Sequence, residues 1–176
     1  MRSSGVAGRK GAGVKLQNMT AARLNGLFRG VSAPDSAPQG FLRGRILTAV
    51  VDPYGMFIGE VCRFWRGKRF QPGAGTNLVS PGGRPLLWAL APSQPLEPTL
   101  EGNLEGFPFE IRRGKGAVDP DVEVMALTYG ISSNSSLLLR RLRDELVRIE
   151  DGLYLGKILY RVGEAYRPLG FFSLET

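Results

Sequence analysis

Histidine is absent from this chain, and cysteine occurs once, at Cys62. Without histidine there is no Ser–His–Asp triad, no Cys–His pair and no histidine-ligated metal. A lone cysteine cannot close a disulfide within the chain, a pattern that fits a reducing compartment. Cys62 lacks the usual base of a thiol nucleophile and reads as a small buried apolar residue. Long apolar runs are missing too. No stretch approaches the roughly 20 residues of a membrane span, and no signal-peptide core follows the start. Acid is missing from one end. Residues 1–34 carry six Lys or Arg and no Asp or Glu.

The 176 residues are enough for one domain with one real core, and 43% of them are hydrophobic. The net charge of +7 comes from the first seventy residues, because from residue 71 onward eleven bases face thirteen acids. A basic end on a near-neutral body reads as a leader for targeting, for anchoring or for docking on a protein complex or an anionic surface. It does not read as a nucleic-acid stripe within a fold. Residues 1–14 form that leader, and 15–176 form the domain. The expected compartment is cytoplasmic, or an organelle matrix or stroma if the leader is a targeting segment. The leader's glycines and Lys10 invite comparison with a phosphate-binding loop, but no G-x-x-x-x-G-K-[ST] is present.

Residues 19–29 predict a short helix. Thr20 can cap it, Leu24, Leu27 and Phe28 share a face, and Gly30 can close it. Residues 40–51 are β-branched and aliphatic and predict a strand. Residues 53–65 place Phe57, Val61, Phe64 and Trp65 at helical spacing behind Pro53, and a second helix is expected there. The basic cluster Arg66, Lys68 and Arg69 follows. Beside those aromatics it could meet a lipid surface or stacked bases; a solvated rim is the simpler expectation. Residues 72–104 hold six prolines and read as loop-rich, with two short apolar pieces at 77–79 and 86–90. Strands are expected over 106–113, 122–129, 153–161 and 167–174, with a turn at 114–116 and another at 162–165.

Residues 136–150 are contested. Leu138, Leu142, Leu146 and Ile149 form a helical stripe with i,i+4 ion pairs such as Arg140/Asp144. Asp151 and Gly152, between two strand-like runs, are a hairpin signal instead.

Three stretches carry a resemblance. They are Trp65, Gly67, Lys68 and Phe70 in WRGKRF with Asn77; Asp119 and Asp121 leading to Leu127 and Tyr129; and Asp144, Glu145 and Leu146 followed by Gly152, Tyr154, Gly156 and Lys157. In this order they resemble a mostly bacterial family with W-x-G-K-x-F and D-E-L-x-x-x-x-x-G-x-Y-L-G-K motifs. That family belongs with calycin-like barrels of the lipocalin and nitrobindin type, and the resemblance spans about residues 20–175.

The resemblance implies a mainly β fold bordering on α+β: an antiparallel meander barrel with one or two N-terminal helices. It places residues 140–150 in a strand. It brings no assigned activity, so no catalytic residue carries over. Nitrobindin-type haem binders hold iron through histidine, so neither haem nor any other cofactor or metal is expected here.

On a strand, Asp144 and Glu145 face opposite sides. The inward acid needs a partner, for which Arg141 or Arg143 is available. Trp65, Lys68 and Asn77 could gather at the barrel mouth, with Lys68 meeting an acidic head group and Asn77 a carbonyl. Otherwise Trp65 plugs the barrel end and Asn77 makes a turn. The expected activity is non-enzymatic binding of a lipid or other small hydrophobic or amphipathic molecule. Trp65, Lys68, Asn77, Tyr129, Arg143, Glu145 and Tyr154 are its candidate contacts. The alternative is an interaction subunit with a filled barrel, docked through its leader.

Overall fold

The computed structural model describes residues 16–49, 60 and 63–176. The leader, Cys62 and most of the helix expected over 53–65 lie outside them. Trp65, at the end of that expected helix, is instead the first residue of a strand.

Helix α1 (Ala21–Arg29) forms as its pattern predicts. The Thr20 hydroxyl accepts from Arg23 N at 3.3 Å, Leu24 and Phe28 are buried, and Gly30 ends the helix. Nine strands follow among the described residues. They are β1 (Gly40–Ala49), β2 (Trp65–Gln71), β3 (Ala74–Val79), β4 (Leu96–Pro98), β5 (Leu104–Lys115), β6 (Glu123–Thr128), β7 (Leu142–Glu150), β8 (Leu153–Val162) and β9 (Ala165–Glu175). A second helix, α2 (Arg84–Leu90), lies between β3 and β4.

Eight strands close a ring in the order β1-β2-β3-β5-β6-β7-β8-β9 and back to β1, every pairing antiparallel. The fold is thus a closed antiparallel barrel of calycin-like topology. The short β4 lies outside the ring, on Leu104–Gly106 of β5. β5 pairs with β6 only from Glu110 onward. Between those two stretches Phe107 takes a φ of +51°, a rare backbone for a side-chain-bearing residue, where the strand changes neighbours.

In the loop-rich segment 72–104 the two apolar pieces fall in β3 and α2, and β4 is a third short element. The hydrophobic alternation of β3 is hidden by Gly75, whose missing side chain makes room for the Phe109 ring. The turn expected at 114–116 comes later, because β5 continues in register to Lys115 opposite Glu123.

The contested segment resolves as strand from Leu142 on, after a single 3-10 turn at Leu139–Arg141. Both faces of β7 are claimed. Leu146 packs in the barrel interior and Val147 beneath α1. The β7–β8 hairpin closes through Asp151 and Gly152, and Gly152 has φ +74°, the left-handed backbone that glycine adopts without strain.

The core therefore has two layers. Inside the barrel, Leu42, Phe70, Phe109, Leu127, Leu146 and Phe172 meet. Outside, Leu24 and Phe28 of α1 cover Val124, Val147, Leu155 and Phe171. Neighbouring Phe171 and Phe172 thus serve opposite faces of β9. No described helix is long and apolar enough to cross a membrane.

Candidate functional site: a polar cluster in the barrel interior

Trp65 and Lys68 are three residues apart, so on a regular strand they would face opposite sides. A bulge between Trp65 and Gly67 in the pairing with β3 puts both inside. Glycine is required at 67. Its φ is +144°, and a Cβ there would lie 2.0 Å from Leu42 O. The motif glycine therefore creates the geometry that delivers Trp65 and Lys68 to one cavity.

Lys68 is 2% exposed. Its Nζ donates to Asn77 Oδ1 at 2.8 Å and to Tyr129 OH at 2.5 Å, and lies 2.8 Å from Asp144 Oδ2. Tyr129 OH in turn donates to Asp144 Oδ2 at 2.9 Å. Asn77 Nδ2 donates to Phe107 O at 3.0 Å and to Tyr129 OH at 3.2 Å, and Trp65 Nε1 donates to Asn77 Oδ1 at 3.0 Å. Four rings surround the ammonium: Trp65, Phe109, Tyr129 and Phe172, with centroids 5.1–5.5 Å away. Carboxylate, oxygen dipoles and π faces together replace the water that a buried cation loses.

This cluster forms one wall of a cavity of about 110 Å³. The other walls are apolar: Ile46, Val79, Phe107, Ile158 and Phe172 from strands, with Leu87 of α2 and Leu139 closing over the top. The covering loop at 130–141 is built, not draped. Asn134, fully buried, donates to Pro108 O at 2.8 Å and Tyr129 O at 2.9 Å, while Arg140 Nε donates to Asn134 O at 2.6 Å. Gln94 ties this loop to the end of α2 through Ser133 O and Ser135 N. At this end Trp88, Leu137 and Leu138 are exposed.

Trp65, Lys68, Asn77 and Tyr129 thus converge, but inside the barrel. Neither the solvated rim expected for the cluster around Lys68 nor the mouth expected for Lys68 and Asn77 describes them. Arg143 and Glu145 do not join them. They pair with each other at 2.7 Å on the outer face, where Glu145 Oε1 also accepts from Ala117 N. Tyr154 packs against the interior core but does not line the cavity. The inward acid is Asp144, and its partner is Lys68, not Arg141 or Arg143. Strand alternation explains this for Arg143, which lies on the outer face with Glu145, while Arg141 is exposed in the 3-10 turn before β7. The motifs held a usable signal: Lys68, Tyr129 and Asp144 come one from each of the three stretches.

A second buried lysine lies on the outer face. Lys157 Nζ pairs with Asp119, donates to Asn25 Oδ1 at 2.7 Å and lies 4.2 Å from the Phe28 ring centre. Arg29 Nε holds the other Asp119 oxygen at 2.5 Å. Burial pushes the Asp119 carboxyl up, but hydrogen bonds from Lys157 and Arg29, together with their charges, outweigh it and hold the group below the ordinary carboxylate value. Among the described residues no three Cys, Asp or Glu side chains gather as a metal site would require.

No protein-family model matches the chain. No curated protein matches it. Among solved structures, the chain is similar to a protein from Thermomonospora curvata, with 15% identity over 92% of this chain and 90% of that one and a TM-score of 0.58. At that identity the likeness concerns the fold alone: a barrel of this topology built on a different sequence.

Proposed function

We propose that the barrel binds a small hydrophobic or amphipathic molecule without transforming it, in the manner of the calycin-like family that its motifs resemble. The observation that carries this reading is the cavity itself: about 110 Å³, walled by aliphatic and aromatic side chains, with polar atoms gathered on one side. An apolar space of about 150 Å³ in another protein is large enough for benzene. The polar side chains support binding over catalysis, because Lys68, Asn77 and Tyr129 are engaged with one another and with Asp144.

The test is uptake of a solvatochromic apolar dye, alongside solvent extraction of the purified protein. Wild type is expected to take up the dye. Ile158→Trp, which fills the space from one wall, should abolish uptake while the far-UV spectrum stays that of a β protein. Dye uptake unchanged by that substitution, or none by wild type, would refute the reading.

A further inference from the structure

We infer that the guest's polar end is an uncharged hydrogen-bond donor, a hydroxyl, received by Asp144 Oδ1. This rests on the binding reading above and narrows it.

The cluster's own donors are already taken. The Lys68 ammonium has three oxygens around it at 2.5–2.8 Å. Both Asn77 amide hydrogens have acceptors, in Phe107 O and Tyr129 OH. The Trp65 indole N–H goes to Asn77, and the Tyr129 hydroxyl hydrogen goes to Asp144. What remains is an acceptor. Asp144 Oδ2 takes both Tyr129 and the Lys68 contact, and its side chain lines the cavity. Oδ1 accepts no hydrogen bond among the described residues. It is also not one of the sealed, partnerless atoms of the interior, which are Asn134 Oδ1, Glu145 Oε2 and Ser173 Oγ. The free carboxylate oxygen therefore opens onto the cavity.

Each class of head group meets this wall differently. A carboxylate would bring a second negative charge to Oδ1 and find every donor committed elsewhere. A bare carbonyl or ether oxygen also lacks a donor. An ammonium would have to leave water for a carboxylate already neutralised by Lys68, with that cation close by. A hydroxyl donates to Oδ1, carries no charge to desolvate, and leaves its alkyl body against Ile46, Val79 and Ile158.

The experiment uses calorimetric titration of the full chain at pH 7 with four guests of one chain length: hexan-1-ol, hexanoate, hexylamine and hexyl methyl ether. Hexan-1-ol should bind about tenfold or more tightly than each of the others. Hexanoate, hexylamine or the ether binding as tightly as the alcohol would overturn this inference while leaving the binding reading intact. If none of the four binds and the apolar dye is not taken up either, the binding reading itself falls.

Discussion

Two buried lysines stand on opposite faces of the barrel sheet, Lys68 on β2 and Lys157 on β8, and the protein treats them differently. Lys68 points inward to Asp144, and Lys157 points outward to Asp119. A buried ion pair is costly to break, because truncating one partner strands the other charge away from water. Lys68→Met should therefore lower unfolding free energy by about 3–5 kcal/mol, measured by urea denaturation. The double change Lys68→Met with Asp144→Leu should recover most of that loss, since two apolar groups need no partners. A double variant no more stable than the single one would mean that the lost packing, not the stranded carboxylate, sets the cost.

At this scale the sequence was readable through its motifs but not through its spacing. Trp65 and Lys68 share a face only because of a bulge, and nothing in the period of WRGKRF announces one. Asp144 was recognisable as half of an inward-outward pair with Glu145. Its partner was not, because Lys68 comes from a strand more than seventy residues away across the barrel.

Among the elements, α1 is held by charge as well as by apolar packing. Its face is held by Leu24 and Phe28, and its end by Arg29 and Asn25 reaching the Asp119–Lys157 pair. The chain beyond it is pinned by Ala33 N donating to Glu123 O and Arg148 N donating to Ser32 O. Because the Asp119 pKa is lowered in the folded protein, the unfolded chain binds the proton more readily. Stability from this group is then fully present above the unfolded carboxyl value near 4 and is lost as pH falls through the lower folded value. Fluorescence of a probe attached at Arg23 should report α1 loosening in that acid window. In Asp119→Asn the loosening should be present already at neutral pH and no longer follow this titration. An acid transition of α1 unchanged by the substitution would assign the pH dependence to other carboxylates. Elements with local signals were legible from sequence: the Thr20 cap, the Leu24/Phe28 spacing, and the Asp151–Gly152 hairpin. β3 and α2 were not, since β3 owes its place to neighbours on both sides more than to its own pattern.

Over the whole molecule, the ring pairs strands consecutive in sequence except at two closing seams. β1 pairs with β9, the first strand with the last, and β3 reaches over α2 and β4 to pair with β5. The second seam leaves little clearance. A Cβ at Gly75 would stand 2.4 Å from the Phe109 ring and 2.6 Å from Arg69 O, so a branched side chain there cannot be accommodated without displacing backbone. Gly75→Val should therefore act on the seam first. Overpacking of this kind costs about 1–3 kcal/mol, and its effect on hydrogen exchange should be uneven. Amides of β3 and of β5 from Leu104 to Glu110 should lose protection, while those of the β7–β8–β9 hairpins keep most of theirs. Because Asn77 and Phe107 sit on this seam and line the cavity, the same variant should also weaken uptake of the apolar dye. Uniform loss of protection around the barrel would show instead that closure and hairpins unfold as one unit, and that the cavity owes nothing special to the β3–β5 contact.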